Sequence, residues 1–203
     1  MNILRFLYSV RVLCFLSIVM LIGGCSSQSQ LKLQFTPDAY QKLHKYPIRI
    51  RLELSDDYRN VKVHDGKVIP IGADLTRYST ILAEQIFDLV SDSTSPNSGE
   101  NIDAVLVPEI LSINHQRKMW AGQEARIMII QKWTLKDSSG KPIWIQTVTG
   151  VGVMGVGTAF SEGTREKERA QLAIDDLFTK SAEEMSSSVE IRKFGEKVAL
   201  DRK

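Results

Sequence analysis

The sequence predicts an α+β protein, a two-layer sandwich in which two amphipathic helices pack on one face of a mainly antiparallel sheet. Three observations lead to this prediction. Residues 47–54 alternate apolar and charged side chains, as does a strand with one wet face. Two long segments repeat apolar residues at three- and four-residue intervals, which is typical of amphipathic helices. Runs of β-forming residues separated by turns occupy most of the remainder.

The first elements are a strand and a hairpin. Apolar residues occupy every second position from Ile48 to Leu54, so this strand is predicted to be half-buried. Residues 61–63 and 67–69 flank Asp65-Gly66, and Asp-Gly between β-formers indicates a hairpin. A helix is predicted next, from an N-cap at Asp74 to about Ser91, with residues 91–101 as an exposed loop. Its apolar stripe consists of Leu75, Tyr78, Leu82, Ile86 and Leu89.

Three strands and a second helix complete the predicted domain. The strands span 104–113, 124–135 and 143–153, and the turn between the last two makes them an antiparallel hairpin. Pro108 lacks a backbone donor, which indicates a sheet edge or a bulge at that point. The helix from Arg165 to Ser186 has its apolar residues on one stripe and its charges outside.

The chain of 203 residues begins with a segment that differs from the rest. Residues 1–24 contain Arg5 and Arg11, no Lys, Asp or Glu, and a predominantly apolar run over 12–22. This run is shorter than the roughly 20 residues that span a bilayer, so we expect a cleaved signal peptide rather than an uncleaved anchor helix. The expected organisation is a signal at 1–24, a tether at 25–46, one domain at 47–194 and a frayed, charged tail at 195–203.

The residues Leu21-Ile22-Gly23-Gly24-Cys25 resemble a bacterial lipobox. This resemblance implies a diacylglyceryl group on the Cys25 sulfur, cleavage before Cys25 and acylation of the new amino group. Several acyl chains are needed for stable anchoring, since one chain holds only marginally. Ser26 follows, and in the enteric sorting rule a residue other than Asp implies the outer membrane. An ordinary signal peptide with a coincidental cysteine is the alternative.

Composition excludes several classes of protein. The 26 Lys+Arg nearly balance 24 Asp+Glu, which argues against a nucleic-acid partner. Loss of the signal removes Arg5 and Arg11, so 24 charges of each sign remain in the mature chain. Cys14 is lost as well, which leaves Cys25 as the only mature cysteine and allows no disulfide within one chain.

No motif predicts catalysis, a metal or a cofactor. The three histidines, His44, His64 and His115, lack metal-ligand spacing. The glycines of 150–155 match a dinucleotide-binding loop, but no helix opens at the third glycine, so we expect a kinked or bulged strand end running into a mobile glycine-rich loop. The paired carboxylates at 56–57, 175–176 and 183–184 are interpreted as solvation. We therefore expect a protein that is not an enzyme, although a spatial constellation of catalytic groups would escape this argument.

Two groups of residues are candidate partner contacts: Arg117, Lys118 and Trp120 between two strands, and Arg49, Arg51 and Arg126 on strands. A loop Trp beside basic residues could contact a membrane, an anionic glycolipid or a protein, or could fold back over the end of the sheet. The strand arginines, with Lys132, would form a basic wet face if their strands were neighbours. Ordinary solvation of an exposed sheet is the alternative.

The order of elements behind the lipobox resembles small Gram-negative envelope lipoproteins of the YajG type and, more loosely, LptE, the lipoprotein partner of the lipopolysaccharide-exporting barrel. The similarity rests on the helix from Leu75, the strand pair 123–135 and 143–153, and the ending 182–194. The hairpin at Asp65-Gly66 and the glycine run after Thr149 depart from it. The resemblance transfers no functional residues.

These observations predict a lipid-anchored outer-membrane lipoprotein facing the periplasm. Its expected role is that of a non-enzymatic binding or assembly partner in cell-envelope biogenesis. The expected partners are the membrane, through acyl chains on Cys25, and another envelope protein. An LptE-like accessory of lipopolysaccharide transport and a lipid-anchored cell-wall enzyme are the alternatives.

Overall fold

A mixed sheet with four helices forms from these elements in the computed structural model, which describes residues 45–65, 67–92, 102–116, 124–154 and 162–202. The strands are β1 (Tyr46–Leu52), β2 (Lys62–Asp65), β3 (Lys67–Pro70), β4 (Phe87–Asp92), β5 (Ala104–Gln116), β6 (Ala125–Asp137) and β7 (Pro142–Met154). The helices are α1 (Asp56–Arg59), α2 (Gly72–Ile86), α3 (Glu162–Ser187) and α4 (Val189–Asp201). The described chain is thus mixed α/β and mainly sheet, with four helices where the sequence predicts two.

The strand order is β4-β1-β5-β6-β7, and β2 and β3 form a separate hairpin. Strand β1 runs parallel to both β4 and β5, whereas β5, β6 and β7 are successively antiparallel. The predicted hairpin around Asp65 and the predicted β6–β7 hairpin are confirmed. The parallel pairs of β1 join strands that are distant in the chain, so local turn signals do not reveal them.

The predicted helix at 74–91 is shorter than expected. It begins at Gly72 after an N-cap at Ile71, so Asp74 lies in the first turn and is not the cap. It ends at Ile86 because Phe87 takes an extended conformation, with φ −119° and ψ 153°. Residues 87–92 then pair with β1 as β4, since the edge of β1 supplies backbone partners for an extended segment.

The expectation of a sheet edge or bulge at Pro108 is confirmed. Strand β1 pairs with β5 only as far as Leu106. At Pro108, the side of β5 that faces β1 is therefore beyond the last residue paired with β1. A register shift between Ile110 and Ser112 follows immediately and places an extra residue, Leu111, in β5.

Helix α3 crosses the sheet and covers its buried face. The indole N–H of Trp133 on β6 donates to the Ser181 hydroxyl at 2.9 Å, and Ser181 donates to the Leu177 carbonyl. Phe178 meets the Trp133 ring edge-on, with centroids 6.2 Å apart. The predicted apolar stripe is confirmed, because its members are buried: Ala170, Ala173, Ile174, Leu177, Phe178, Ala182 and Met185.

Two glycines allow α3 to approach β7 this closely. A Cβ on Gly152 would lie 1.9 Å from the Arg169 carbonyl oxygen, and one on Gly150 would lie 2.2 Å from that of Ala173. Both glycines pair with β6 without a register shift. The expected kink or bulge is therefore wrong at these positions, where glycine provides room for a helix; Gly155 lies outside the described residues.

The carboxylates at 175–176 bond to protein groups, which corrects their interpretation as solvation. Asp176 accepts a hydrogen bond from the Val151 N–H at 2.8 Å. Lys180 donates to Asp176 at 2.6 Å and to the Thr149 carbonyl at 3.2 Å. These side chains of α3 satisfy backbone groups of β7 that face away from β6.

Helix α4 is not among the predicted elements, and it includes most of the tail that the sequence predicts to be frayed. Ser188 caps its N-terminus by accepting the Ile191 N–H at 3.2 Å. Gly195 packs beside Ile48, and Val198 is buried. Because this second apolar face rests on the domain, residues 195–201 are helical rather than frayed.

Replacing Gly152 by Ala should destabilise the protein by about 1–3 kcal/mol or more, since a backbone carbonyl of α3 occupies the space that the methyl group needs. Urea unfolding followed by tryptophan fluorescence measures this change. Gly195→Ala is the matched control: its Cβ would meet side chains only at 3.5 Å, and alanine should favour the helix by up to about 1 kcal/mol. Equal effects of the two substitutions would contradict the close approach of α3.

Candidate partner-binding surface

One face of the β5–β6–β7 sheet lies opposite the contacts made by the described helices. On β6, the buried residues Ile127, Ile129 and Trp133 point toward those helices. The alternating residues form the other side, which we name the open face. Its members are Val105, Val107, Glu109, Ser112, Asn114 and Gln116 on β5, Arg126, Met128, Ile130, Lys132, Thr134 and Lys136 on β6, and Ile145, Thr147, Thr149, Val151 and Val153 on β7.

The open face is mostly apolar or uncharged. Cross-strand pairs join Thr134 to Val107 on one side and to Ile145 on the other, and Ile130 lies opposite Thr149. Ile145 is 55% exposed, and Leu111, the extra residue of β5, is 48% exposed beside this face. Exposed apolar side chains on a rigid sheet favour contact with another macromolecule.

Two basic residues of the open face, Lys132 and Arg126, each lie near a carboxylate. The Lys132 ammonium lies 2.5 Å from a Glu109 carboxylate oxygen on the neighbouring strand. The Arg126 guanidinium lies 3.7 Å from a carboxylate oxygen of Glu124. These exposed pairs add little stability, but they leave the centre of the face without excess charge.

The strand arginines do not form the basic face that the sequence analysis considers. Strand β5 lies between β1 and β6, so β1 and β6 are not neighbours. Ile50 on β1 pairs with Ala104, and Ala104 pairs with Asp137 at one end of β6. Arg126 is at the other end of β6, on the order of 36 Å away along the strand. Arg49 and Arg51 are therefore far from Arg126.

The two arginines of β1 differ in their surroundings. The backbone N–H of Arg49 donates to the Asp103 carboxylate at 2.7 Å, and the Arg49 guanidinium lies 3.8 Å from the same oxygen. Arg202, after α4, also binds Asp103. Arg51 is exposed and lies opposite Val105. Arg49 thus helps to join β1 to the segment before β5, whereas Arg51 stays accessible to a partner.

The remaining candidate residues lie outside the described residues. These are the expected lipidation site Cys25 and the loop candidates Arg117, Lys118 and Trp120.

A polar cluster inside the domain joins three elements. The Tyr58 hydroxyl of α1 lies 2.8 Å from the Ser79 hydroxyl of α2 and donates to the Gln131 side-chain oxygen of β6 at 3.1 Å. Burial raises the pKa of Tyr58 far above its usual value, so the phenol stays protonated as this bond requires. The cluster holds the short helix against the sheet.

A second polar cluster joins α2 to α3. Asp175 accepts hydrogen bonds from the Tyr78 hydroxyl at 3.1 Å and from the Gln171 amide at 3.0 Å. Burial raises the pKa of Asp175, and burial together with the nearby Asp175 charge raises the pKa of Tyr78. The Tyr78 ring also lies 5.1 Å from Phe178, so the cluster borders the apolar core.

Among residues 45–65, 67–92, 102–116, 124–154 and 162–202, His, Cys, Asp and Glu form no group of three or more that could hold a metal ion. None of the helices in these ranges is long and apolar enough to cross a bilayer.

Comparison with known proteins finds similarity only among solved structures. No family model and no curated protein matches this chain. A DUF330 protein from Xanthomonas campestris is 9% identical over 79% of this chain and 92% of its own, with a TM-score of 0.49. A minor lipoprotein from Acinetobacter baumannii is 18% identical over 70% and 93%, with a TM-score of 0.42. A lipoprotein from Neisseria meningitidis is 15% identical over 59% and 91%, with a TM-score of 0.35.

Bacterial lipoproteins are thus among the solved structures similar to this chain. All three TM-scores are below 0.5.

The pH dependence of stability should reveal the cost of burying Asp175. The pKa of Asp175 is raised in the folded state. The stability cost of burying its charge is therefore absent at a pH where the carboxyl is protonated in both the folded and the unfolded protein. The cost is complete once the pH exceeds the folded-state pKa. Asp175→Asn should therefore gain stability relative to the unsubstituted protein as pH rises from about 3 to about 7. Urea unfolding across this range measures the difference, with Asp57→Asn on exposed α1 as control. A constant difference would contradict this interpretation of Asp175.

Proposed function

We propose that this protein is a lipid-anchored lipoprotein on the periplasmic face of the outer membrane, where it acts as a non-enzymatic binding or assembly partner in cell-envelope biogenesis. The observation that carries the proposal is Leu21-Ile22-Gly23-Gly24-Cys25 directly after a basic and apolar segment. Several acyl chains on Cys25 would hold the protein stably at a membrane surface. Ser26 favours the outer membrane under the enteric sorting rule.

The open face supports a binding role for the anchored domain. It combines exposed Ile145 with the paired charges of Lys132 and Glu109, so it favours a partner with an apolar surface over a polyanion. A two-layer arrangement, with all helices on one side of the sheet, is part of this proposal because it would leave the open face to the partner. Another envelope protein is the partner that we propose.

The strand order does not support the lipopolysaccharide alternative. This alternative depends on a joint basic face of Arg49, Arg51 and Arg126, and the strand order separates these residues. Arg126 is also paired with Glu124.

Replacing Cys25 by Ser should abolish lipid attachment, since the hydroxyl cannot take the place of the thiol that receives the diacylglyceryl group. Intact-protein mass spectrometry should find an unprocessed chain or a chain without acyl mass. Cys14→Ser is the matched control, because this cysteine lies in the expected signal and should leave the acylated mass unchanged. A mature mass without lipid in the unsubstituted protein would refute the anchoring proposal.

A photoreactive amino acid at Leu111 should form a discrete adduct with a second envelope protein when illuminated in intact cells. The same amino acid at Leu172, on the outer side of α3, is the matched control, because these leucines are 48% and 43% exposed. Adducts of equal yield at both positions, or none at Leu111, would contradict binding at the open face. Envelope-substrate turnover by the purified protein would refute the non-enzymatic role.

A further inference from the structure

Two basic side chains lie side by side at one end of the open face. Arg51 on β1 pairs with Val105 on β5, and Val105 pairs with Lys136 on β6. Paired residues of neighbouring strands project from the same face of a sheet, so Arg51 and Lys136 lie about 10 Å apart with Val105 between them. We name these three residues the basic row.

Neither cation of the basic row forms an ion pair within the described ranges. Lys132, on the same strand and face as Lys136, is paired with Glu109. The carboxylate of Asp137, next to Lys136 in the chain, instead accepts backbone N–H groups of the following turn, each at 2.9 Å. Arg51 is exposed and Lys136 is half-buried. The basic row thus presents positive charge that no carboxylate neutralises by direct contact.

Further basic side chains surround the basic row. Asp103, before β5, is shared by Arg49 and Arg202, so two guanidinium groups meet a single carboxylate. Basic residues outnumber acidic ones among 45–53, 103–105, 136–141 and 201–202. The basic ones are Lys45, Arg49, Arg51, Lys136, Lys141 and Arg202, and the acidic ones are Glu53, Asp103, Asp137 and Asp201.

The chain enters the sheet at this same end. Strand β1 begins at Tyr46 and runs past the basic row, while β5 begins and β6 ends within one residue of the row. The expected lipid site, Cys25, precedes β1 in the chain, so a membrane that holds the anchor lies within reach of this end. Ile130, at the centre of the open face, is six residues from Lys136 along β6, which is roughly 20 Å.

We propose that the basic row rests on the membrane that holds the lipid anchor, where Arg51 and Lys136 bind the phosphate groups of anionic phospholipids. Guanidinium and ammonium groups donate charge-assisted hydrogen bonds to phosphate oxygens, and both side chains are long enough to extend beyond Val105. This contact rests on the proposed anchoring at Cys25 and adds an orientation to it. The centre of the open face would then stand clear of the headgroups and remain accessible to a protein partner.

The physical basis is the addition of a weak electrostatic contact to a lipid anchor. Each basic residue near an anionic bilayer favours contact by about five-fold, and the effect falls off within a Debye length. Free in solution, two such residues hold a protein only weakly. On a protein that acyl chains already keep at the surface, the same two residues decide which side of the domain faces the lipid.

Energy transfer from the full-length acylated protein to dye-labelled lipid headgroups tests this orientation. Ser138→Cys, in the exposed turn after Lys136, would carry the donor dye, because Cys25 is the only other mature cysteine and is expected to be acylated. Transfer should be several-fold higher in vesicles of phosphatidylcholine with phosphatidylglycerol than in phosphatidylcholine alone, and high salt should remove the difference. Equal transfer in the two kinds of vesicle, or a difference that survives high salt, would overturn the proposal.

Charge reversal assigns the effect to the basic row. Arg51→Glu combined with Lys136→Glu should abolish the difference between the two kinds of vesicle. Arg126→Glu combined with Lys132→Glu is the matched control, because it makes the same change of charge further along the open face, and it should retain the difference. Equal losses in the two double variants would overturn the proposal.

Two further measurements separate this proposal from its alternatives. Intact-mass analysis of the same preparation tests the anchor: a protein without acyl mass would refute the anchoring and this proposal together, whereas an acylated protein with equal transfer in both kinds of vesicle would overturn only the contact of the basic row. In intact cells, a photoreactive amino acid at Ser138 should gain the mass of a phospholipid. A protein adduct in its place would overturn the proposal in favour of an acidic protein partner.

Discussion

The close approach of α3 to β7 is the constraint on which the rest of the structure depends. Gly152 and Gly150 lack the Cβ atoms that would collide with the helix backbone, so α3 can lie directly on the strand. This packing brings the Asp176 carboxylate to the Val151 N–H. Further along α3, the Ser181 hydroxyl accepts the hydrogen bond from the Trp133 indole. The apolar stripe of α3 is therefore buried, and Asp176 and Lys180 of the same helix bond to part of the β7 edge.

The surface left by this arrangement has the properties of a contact region. The open face presents the exposed Ile145, and its Lys132 is paired with Glu109. The domain begins about 20 residues after Cys25, and that length of chain can span at most about 70 Å when extended. Under the proposed lipid attachment at Cys25, the start of the domain would stay within that distance of the membrane.

Much of the fold follows from local patterns in the sequence. The stripe of α3 and the β6–β7 hairpin are predictable because each pattern is set by near neighbours in the chain. Strand β4 is not, because Ile86 and Leu89 continue the helical period and only β1, far away in sequence, supplies the strand partner. Likewise, no local sequence pattern indicates that β5 lies between the strands of Arg51 and Arg126. Whether these arginines form one basic face therefore depends on the strand order, which the sequence does not reveal.

Amide hydrogen exchange resolved to single residues along β7 tests the central claim most directly, namely that α3 lies directly on β7 and satisfies backbone groups at that part of its edge. The Val151 amide, bonded to Asp176, should exchange slowly in the unsubstituted protein. Gly152→Ala should make the same amide exchange faster, because the added methyl group would displace the backbone of α3. Fast exchange at Val151 in the unsubstituted protein, or unchanged slow exchange in Gly152→Ala, would contradict the account.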